Sequence, residues 1–468
     1  MSEKSQAKSL KEKLFLKKEH CSNIMTEEEV KACDSFCEGY KEFLAKSKME
    51  RDAVETAVAE AEKRGFVPFD KKGNYKPGDR VYLNNRGKAI ILCVFGTESV
   101  EKGVKIAAAH VDSPRLDLKP NPLYESDEVA LFKTHYYGGI KKYQWTAIPL
   151  ALHGVVILGD GTKVNVCIGE DKGDPQFVIT DLLPHLAADQ VKEPLATAIK
   201  GEELNILVGS RPFKDDSESE LVKLNILNIL NEKYGITEKD FQTAELSLVP
   251  AYEVRDIGLD RSMIGAYGHD DKVCAYPEMQ AIFDAGTPKY TSLCIFADKE
   301  EVGSDGNTGM NSAFLRYFVS DLARLEGLEG RDVLSKSECL SADVNAAFDP
   351  TFPSVTEKNN VAYLNHGAVI TKYTGSRGKY GTSDASAEFV GKVRRILERN
   401  NVVWQTGELG KVDQGGGGTV AVYIANLDVD VVDLGVPVLS MHAPFEVVSK
   451  FDVYMTYKAC LAFFTDEE

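Results

Sequence analysis

The sequence predicts an α/β protein with a mixed sheet whose chain path is interrupted by a mostly β segment, and three observations carry that prediction. Apolar, partly β-branched runs such as Ser292–Ala297 stop abruptly at acidic residues, here Asp298-Lys-Glu-Glu301, the pattern of a buried strand that delivers polar groups to its C-terminal edge. Runs of this kind mix with amphipathic helical patterns before residue 116 and after residue 250. Between those limits the composition turns to Pro, Gly and short strand-like segments. In α/β sheets the carboxyl edge is where ligands bind, because the loops there line a crevice beyond the strand ends.

Taken in order, residues 1–25 are charged and expected to be partly mobile. Thr26-Glu-Glu-Glu29 is a capping box that should start a helix. Val30, Cys33, Phe36, Tyr40 and Phe43 follow at helical spacing, and a second helix runs from about Met49 to Lys63 before Gly65. Strands are expected at Val81–Leu83, Lys88–Phe95 and Val104–Ala109, the last running into His110-Val-Asp-Ser-Pro-Arg115. Within 116–250, strands are expected at Gly154–Leu158 and Val164–Ile168, an acidic linker at Lys214–Glu220 and a helix at Leu221–Tyr234. Beyond it, Asp270 and Asp271 precede a helix expected at Pro277–Ala285, and Gly306-Asn-Thr-Gly309 has the look of a helix opening. Helices at Asn311–Leu325 and Ser386–Asn400, strands at Val361–Tyr373 and at Val431–Ser440, the latter broken at Gly435-Val-Pro437, and a glycine loop at Asp413–Thr419 complete the chain.

The chain has 468 residues, 43% of them hydrophobic, enough for a large core and more than one domain. Its net charge of -17 argues against a nucleic-acid binder, which needs a basic face. Nine scattered cysteines without a CxxC pair indicate neither a disulfide framework nor a thiolate zinc knuckle, so a reducing compartment, the cytoplasm, is expected. No uninterrupted apolar stretch is long enough to span a membrane, so no membrane partner is expected. The glycine run lacks the spacing of a nucleotide loop.

His110, Asp112, Asp270, Glu300, Glu301, Asp343 and His442 all fall at expected strand or helix ends. Singly, each has an ordinary reading: a loop hydrogen bond for His110, a helix cap for Asp270, a solvated turn for Glu300 and Glu301. Together, such N and O donors make a site for zinc or a similar divalent ion. A His-x-Asp pair can also place one imidazole nitrogen at a metal while the carboxylate holds the other.

The motifs His110-Val-Asp-Ser-Pro-Arg115, Gly268-His-Asp-Asp271, Asp298-Lys-Glu-Glu-Val-Gly-Ser304, Asp343-Val and Ser440-Met-His442 resemble, in the same chain order, those of the aspartyl aminopeptidase and vacuolar aminopeptidase I family of dinuclear metallopeptidases. The resemblance implies a phosphorylase/hydrolase-like catalytic domain formed by residues 1–115 and 251–468, split by an inserted oligomerisation domain at 116–250. It implies two divalent ions per chain, zinc first with cobalt or manganese as alternatives. His110 and Asp343 would bind one, Glu301 and His442 the other, and Asp270 would bridge. Glu300 is then the general base and Asp112 the partner of His110. The resemblance also implies a cis Asp270–Asp271 bond, short peptide substrates cut at the N-terminus, and a closed homo-oligomer, a dodecamer.

Two departures bear on the substrate. Ile148-Pro-Leu-Ala-Leu-His153 matches only in part the stretch that in the family reaches a neighbouring subunit's site, which makes His153 a substrate-binding candidate. The segment Lys372–Tyr380 differs from the aspartyl enzymes' version, leaving acidic and neutral or apolar N-terminal residues both open; Lys372 and Tyr380 are candidates there. Two rival functions stand beside this one: a related dinuclear amidohydrolase acting on another small amide, and a non-catalytic assembly protein.

Overall fold

The computed structural model describes residues 6–214 and 218–468. A nine-stranded mixed sheet forms its centre, in the order Val67–Pro68, Arg80–Asn85, Ala89–Val94, Ser292–Ala297, Lys105–His110, Glu338–Ser341, Asp430–Gly435, Ala368–Thr371, Trp404–Thr406. Four adjacent strands, Ser292–Ala297, Lys105–His110, Glu338–Ser341 and Asp430–Gly435, run parallel. Their C-terminal ends therefore open on one edge. Ala297 pairs with His110, so the chain segments that leave these two strands start side by side.

Strand alternation sends successive side chains to opposite faces. Ile90, Leu92 and Val94 join the core beneath the helices Glu27–Lys46, His269–Asp284 and Lys450–Thr465, while Ala89, Ile91 and Cys93 join a second core against the helix Phe314–Leu325. Both faces are covered, and the central strands are buried end to end. The first long helix starts at the predicted capping box: Thr26 Oγ1 accepts from Glu29 N–H, and Glu29 accepts from Thr26 N–H. Such a cap stabilises a helix by about 1 kcal/mol.

Seven strands drawn from residues 115–250 form a separate antiparallel sheet with its own apolar core around Trp145 and Leu150. A third, five-stranded sheet includes Met263–Ala266, Glu446–Ser449 and Pro437–Leu439.

Several sequence expectations need correction. A helix at Gln6–Leu14, which the sequence did not suggest, precedes the capping box; of the linker expected at Lys214–Glu220, residues 215–217 lie outside the described residues. The helix placed at Pro277 begins at His269, with Pro277 inside it; proline suits a first helical position, which made it look like the start. Gly306–Gly309 opens no helix but folds back, Thr308 Oγ1 donating to Asp298 Oδ2 at 2.6 Å. Within Val361–Tyr373 only Ala368–Thr371 is strand. The break expected at Gly435-Val-Pro437 is present, but it parts two sheets rather than one strand, since Asp430–Gly435 belongs to the nine-stranded sheet and Pro437–Leu439 to the five-stranded one. Gly435 at the switch has its own reason: a Cβ there would lie 1.8 Å from the main-chain oxygen of Asp343.

Candidate metal centre

The parallel strand ends converge on a group of acids and two histidines. His110, Asp270 and Asp343 offer one set of donor atoms within 4.8 Å of one another, and Asp270, Glu301 and His442 a second. Asp270 belongs to both. Its Oδ1 lies 3.1 Å from His110 Nε2 and its Oδ2 lies 3.2 Å from His442 Nε2, so one carboxylate faces a different imidazole with each oxygen. Asp270 comes from the broken first turn of the His269–Asp284 helix, where its φ and ψ are not helical, and the Asp270–Asp271 peptide bond is cis.

Each histidine has its tautomer set from behind. Nδ1 of His110 lies 3.0 Å from the main-chain oxygen of Asp112, and Nδ1 of His442 lies 2.7 Å from that of Gly139. A carbonyl can only accept, so both Nδ1 atoms carry the proton and both Nε2 atoms turn toward Asp270. An imidazole lone pair set against a carboxylate oxygen is repulsive unless a cation lies between them or the ring is protonated. Among the described residues no hydrogen bond reaches Asp270 Oδ1, Glu301 Oε1 or Asp343 Oδ2, all of them buried. Buried, unpartnered carboxylate oxygens around two aligned Nε2 atoms fit a hard-to-borderline divalent cation.

Charge follows the same geometry. Burial pulls His442 down, but Asp270 and Glu301 outweigh it and push it up to about 10. Burial pushes Glu300 up to about 7 against the pull of His110, and it raises Glu301 and Asp343 further, each beside another acid. Asp270 is the exception: burial would raise it, yet the two imidazoles hold it below the ordinary carboxylate range.

Asp112 does more than sequence reading expected. Its carboxylate approaches His110 Nδ1 only at 3.3 Å, farther than its own main-chain oxygen does. The closer work of that carboxylate is on the acid pair, since Oδ1 accepts Glu300 N–H at 3.1 Å and Oδ2 accepts Glu301 N–H at 3.2 Å. The pair opens a 3-10 turn, Glu300–Val302, after a left-handed Lys299. Glu300 Oε2 lies 3.9 Å from His110 Nε2, and Glu301 Oε2 lies 3.6 Å from His442 Nε2.

Other residues at the centre were given no role of their own by the sequence. Glu446 accepts the N–H of Asp270 at 3.1 Å and of His442 at 2.8 Å. Buried Lys272 donates to Ser113 Oγ at 2.6 Å, which donates in turn to the main-chain oxygen of Asp270 at 2.6 Å. Asp271 takes the main-chain N–H of His110 at 3.3 Å. Ser113 and Asp271 lie inside two of the motifs quoted above, and Glu446 lies four residues after His442 at the start of a strand, whereas nothing in the sequence marks Lys272.

His153 belongs to neither donor set. His153 lies between Glu170, at 3.0 Å, and Asp52, at 3.6 Å, lining a cavity of about 930 Å³ that also touches Tyr137 and Asp298 but none of the donor residues. Lys372 is exposed, and Tyr380 is 75% exposed on a loop where it pairs with Ser376.

The model of the aminopeptidase I zinc metalloprotease (M18) family matches residues 43–464. The chain belongs to that family. An M18 family aminopeptidase 1 of Clostridium acetobutylicum is 52% identical over 91% of this chain and 93% of that protein. The crystal structure of an M18 aminopeptidase from Thermotoga maritima superposes with a TM-score of 0.92 at 43% identity, covering 96% of this chain and 99% of the other. The S. cerevisiae mApe1 dodecamer, 22% identical over 93% of this chain and 97% of its own, shares the fold at a TM-score of 0.75. This M18 protein is therefore a metal-dependent aminopeptidase, and the amidohydrolase and assembly readings give way to that. Among the described residues no helix is long and apolar enough to cross a membrane.

Proposed function

We propose that this M18 aminopeptidase removes the N-terminal residue of short peptides at a two-ion centre, held on one side by His110, Asp270 and Asp343 and on the other by Asp270, Glu301 and His442. The observation that supports it is Asp270, which presents Oδ1 to one Nε2 and Oδ2 to another. Bound there, two divalent ions, zinc by preference over cobalt or manganese, would supply Lewis-acid polarisation of the scissile carbonyl and of the attacking water.

The chain's own groups do the rest. Glu300, whose N–H is fixed by Asp112, takes the proton from the attacking water and passes it to the leaving amine. Asp112 keeps Glu300 and Glu301 in register, so the base and the neighbouring ligand cannot exchange roles without breaking two hydrogen bonds. The main-chain oxygens of Asp112 and Gly139 hold each imidazole proton on Nδ1 through the cycle.

In this reading residues 1–115 and 251–468 form a phosphorylase/hydrolase-like catalytic domain and 116–250 an inserted oligomerisation domain. The protein works in the cytoplasm as a closed homo-oligomer, a dodecamer as in the yeast relative. Enclosed sites admit short peptides only, and His153, held between Asp52 and Glu170 on the wall of its cavity, is the residue of the inserted segment proposed to serve a neighbouring subunit's site.

The test joins metal analysis to a panel of aminoacyl amides with acidic, neutral and apolar side chains, each with a free and with an acylated amine. Two ions per chain and cleavage only of free-amine substrates support the proposal. One ion or fewer with every metal, or preference for acylated substrates, refutes it.

A further inference from the structure

The seven-stranded sheet reaches the metal centre where the strand Val129–Tyr137 ends in Tyr137-Gly138-Gly139. Each of these three residues meets a different group of the centre. Tyr137 Oη donates to Asp112 Oδ2 at 2.8 Å, and the same oxygen receives the N–H of Glu301. Gly138, at φ +76, lies so close to Glu301 that a Cβ would come within 3.1 Å of Oε2 and 3.3 Å of Glu301 Cβ. The main-chain oxygen of Gly139 holds His442 Nδ1 at 2.7 Å, and a Cβ on Gly139 would lie 3.4 Å from that nitrogen. The Tyr137 ring is itself held by the Arg115 guanidinium, 4.0 Å from its centroid, and Arg115 is anchored by Glu50 at 3.0 Å and Asp117 at 2.8 Å.

Two of the contacts fall directly on one donor set, and the third reaches it through Asp112 Oδ2, the oxygen that holds Glu301 N–H, while Asp112 Oδ1 is the one that faces His110 and Glu300. Glu301 and His442 belong to the set shared with Asp270, whereas His110 and Asp343 belong to the other. We propose that Tyr137-Gly138-Gly139 is a positioning element for the Asp270, Glu301 and His442 cation site, so that the segment 116–250 completes one of the two ion sites of its own subunit. Tyr137 acts through Asp112, orienting the carboxylate that grips the acid pair. Gly139 fixes the imidazole proton, and Gly138 lets the turn approach Glu301 closely enough for both. Groups that orient ligands in this way change metal affinity by about 10–100-fold when removed. The inference rests on the two-ion reading above.

The experiment is a zinc titration of metal-stripped protein, wild type against Tyr137→Phe, with a competing chelator as reporter and kcat and KM measured in parallel. The substitution keeps the ring over Arg115 and removes only the hydroxyl. Expected are two binding steps in the wild type, and in the variant one step weakened at least tenfold with the other within threefold, a lower kcat and a KM within twofold. Two unchanged steps in Tyr137→Phe, or equal weakening of both, overturn the proposal while leaving the two-ion reading intact. A wild type that binds fewer than two ions overturns both. Hydrogen exchange of the wild type needs no variant: zinc should slow exchange in peptides spanning 137–142, and identical exchange with and without zinc counts against the element even if the variant does not fold.

Discussion

Glu446 Oε2 accepts the main-chain N–H of Asp270 across 176 residues of chain, at 3.1 Å. Its other oxygen holds the N–H of His442, a residue at φ +64, where side chains other than glycine rarely sit. One buried carboxylate thus ties the shared acid to an imidazole that faces it. Strand pairing of Glu446 with Ala266 sets it beside the turn that carries Asp270.

Glu446→Gln is therefore expected to damage the centre without touching a donor atom. Glutamine keeps one acceptor oxygen and turns an NH2 group toward the other N–H. A buried donor left unsatisfied costs about 1–3 kcal/mol. Thermal unfolding should show a loss of that size, and the variant should release zinc to a chelator faster than the wild type. Equal stability together with equal zinc retention would show that the clamp has no role.

The legibility of the site in the sequence followed from where its parts lie along the chain. His110, Glu300, Glu301 and Asp343 could be read because each ends an apolar run, a local pattern that survives translation into structure. Tyr137 and Gly139 could not, because a hydroxyl and a main-chain oxygen become parts of the centre only when the second sheet docks, and nothing in Lys133–Gly139 marks that event. The fold divided in the same way. Helices with amphipathic spacing were placed within a few residues, as for Leu221–Tyr234, while Val431–Ser440 was read as one broken strand because the sheet switch at Gly435 depends on a distant carbonyl of Asp343.

His153 carries a pH dependence that can be separated from the metal centre. Burial lowers its affinity for a proton, but Asp52, Cys167 and Glu170 outweigh that and raise it to about 11. A histidine whose folded value lies above its unfolded value of about 6.5 contributes stability that is complete below pH 6.5 and declines as pH rises toward 11. His153→Gln should thus melt below the wild type by the largest margin near pH 6, and the gap should narrow steadily to pH 10. A gap that is constant, or that widens with pH, would contradict the pairing with Asp52 and Glu170.

Metal removal should lower stability as well as activity, because the unpartnered oxygens of Asp270, Glu301 and Asp343 are buried whether or not a cation compensates them. Zinc added to chelator-treated protein at 100 times its dissociation constant adds about 2.7 kcal/mol per site if only the folded state binds. Calorimetry should show a melting temperature that climbs with zinc concentration. A melting temperature insensitive to zinc would contradict the buried donor sets.

Glu300 and Glu301 make the sharpest contrast, because two adjacent acids on one 3-10 turn lean toward different imidazoles. Glu301 belongs to a donor set with Asp270 and His442; Glu300 belongs to neither set. Asp112 holds both main-chain N–H groups, so a substitution at either side chain leaves the turn in place. Glu300→Gln should keep both ions and a KM near that of the wild type, and lose general-base catalysis worth about 10²–10⁴ in kcat. Glu301→Gln should lose one ion on dialysis and regain part of its activity when zinc is added. Metal content and kcat measured together on the two variants decide the assignment. If Glu300→Gln is the variant that loses an ion, the roles are reversed, and if it keeps a near-normal kcat, the base is another residue.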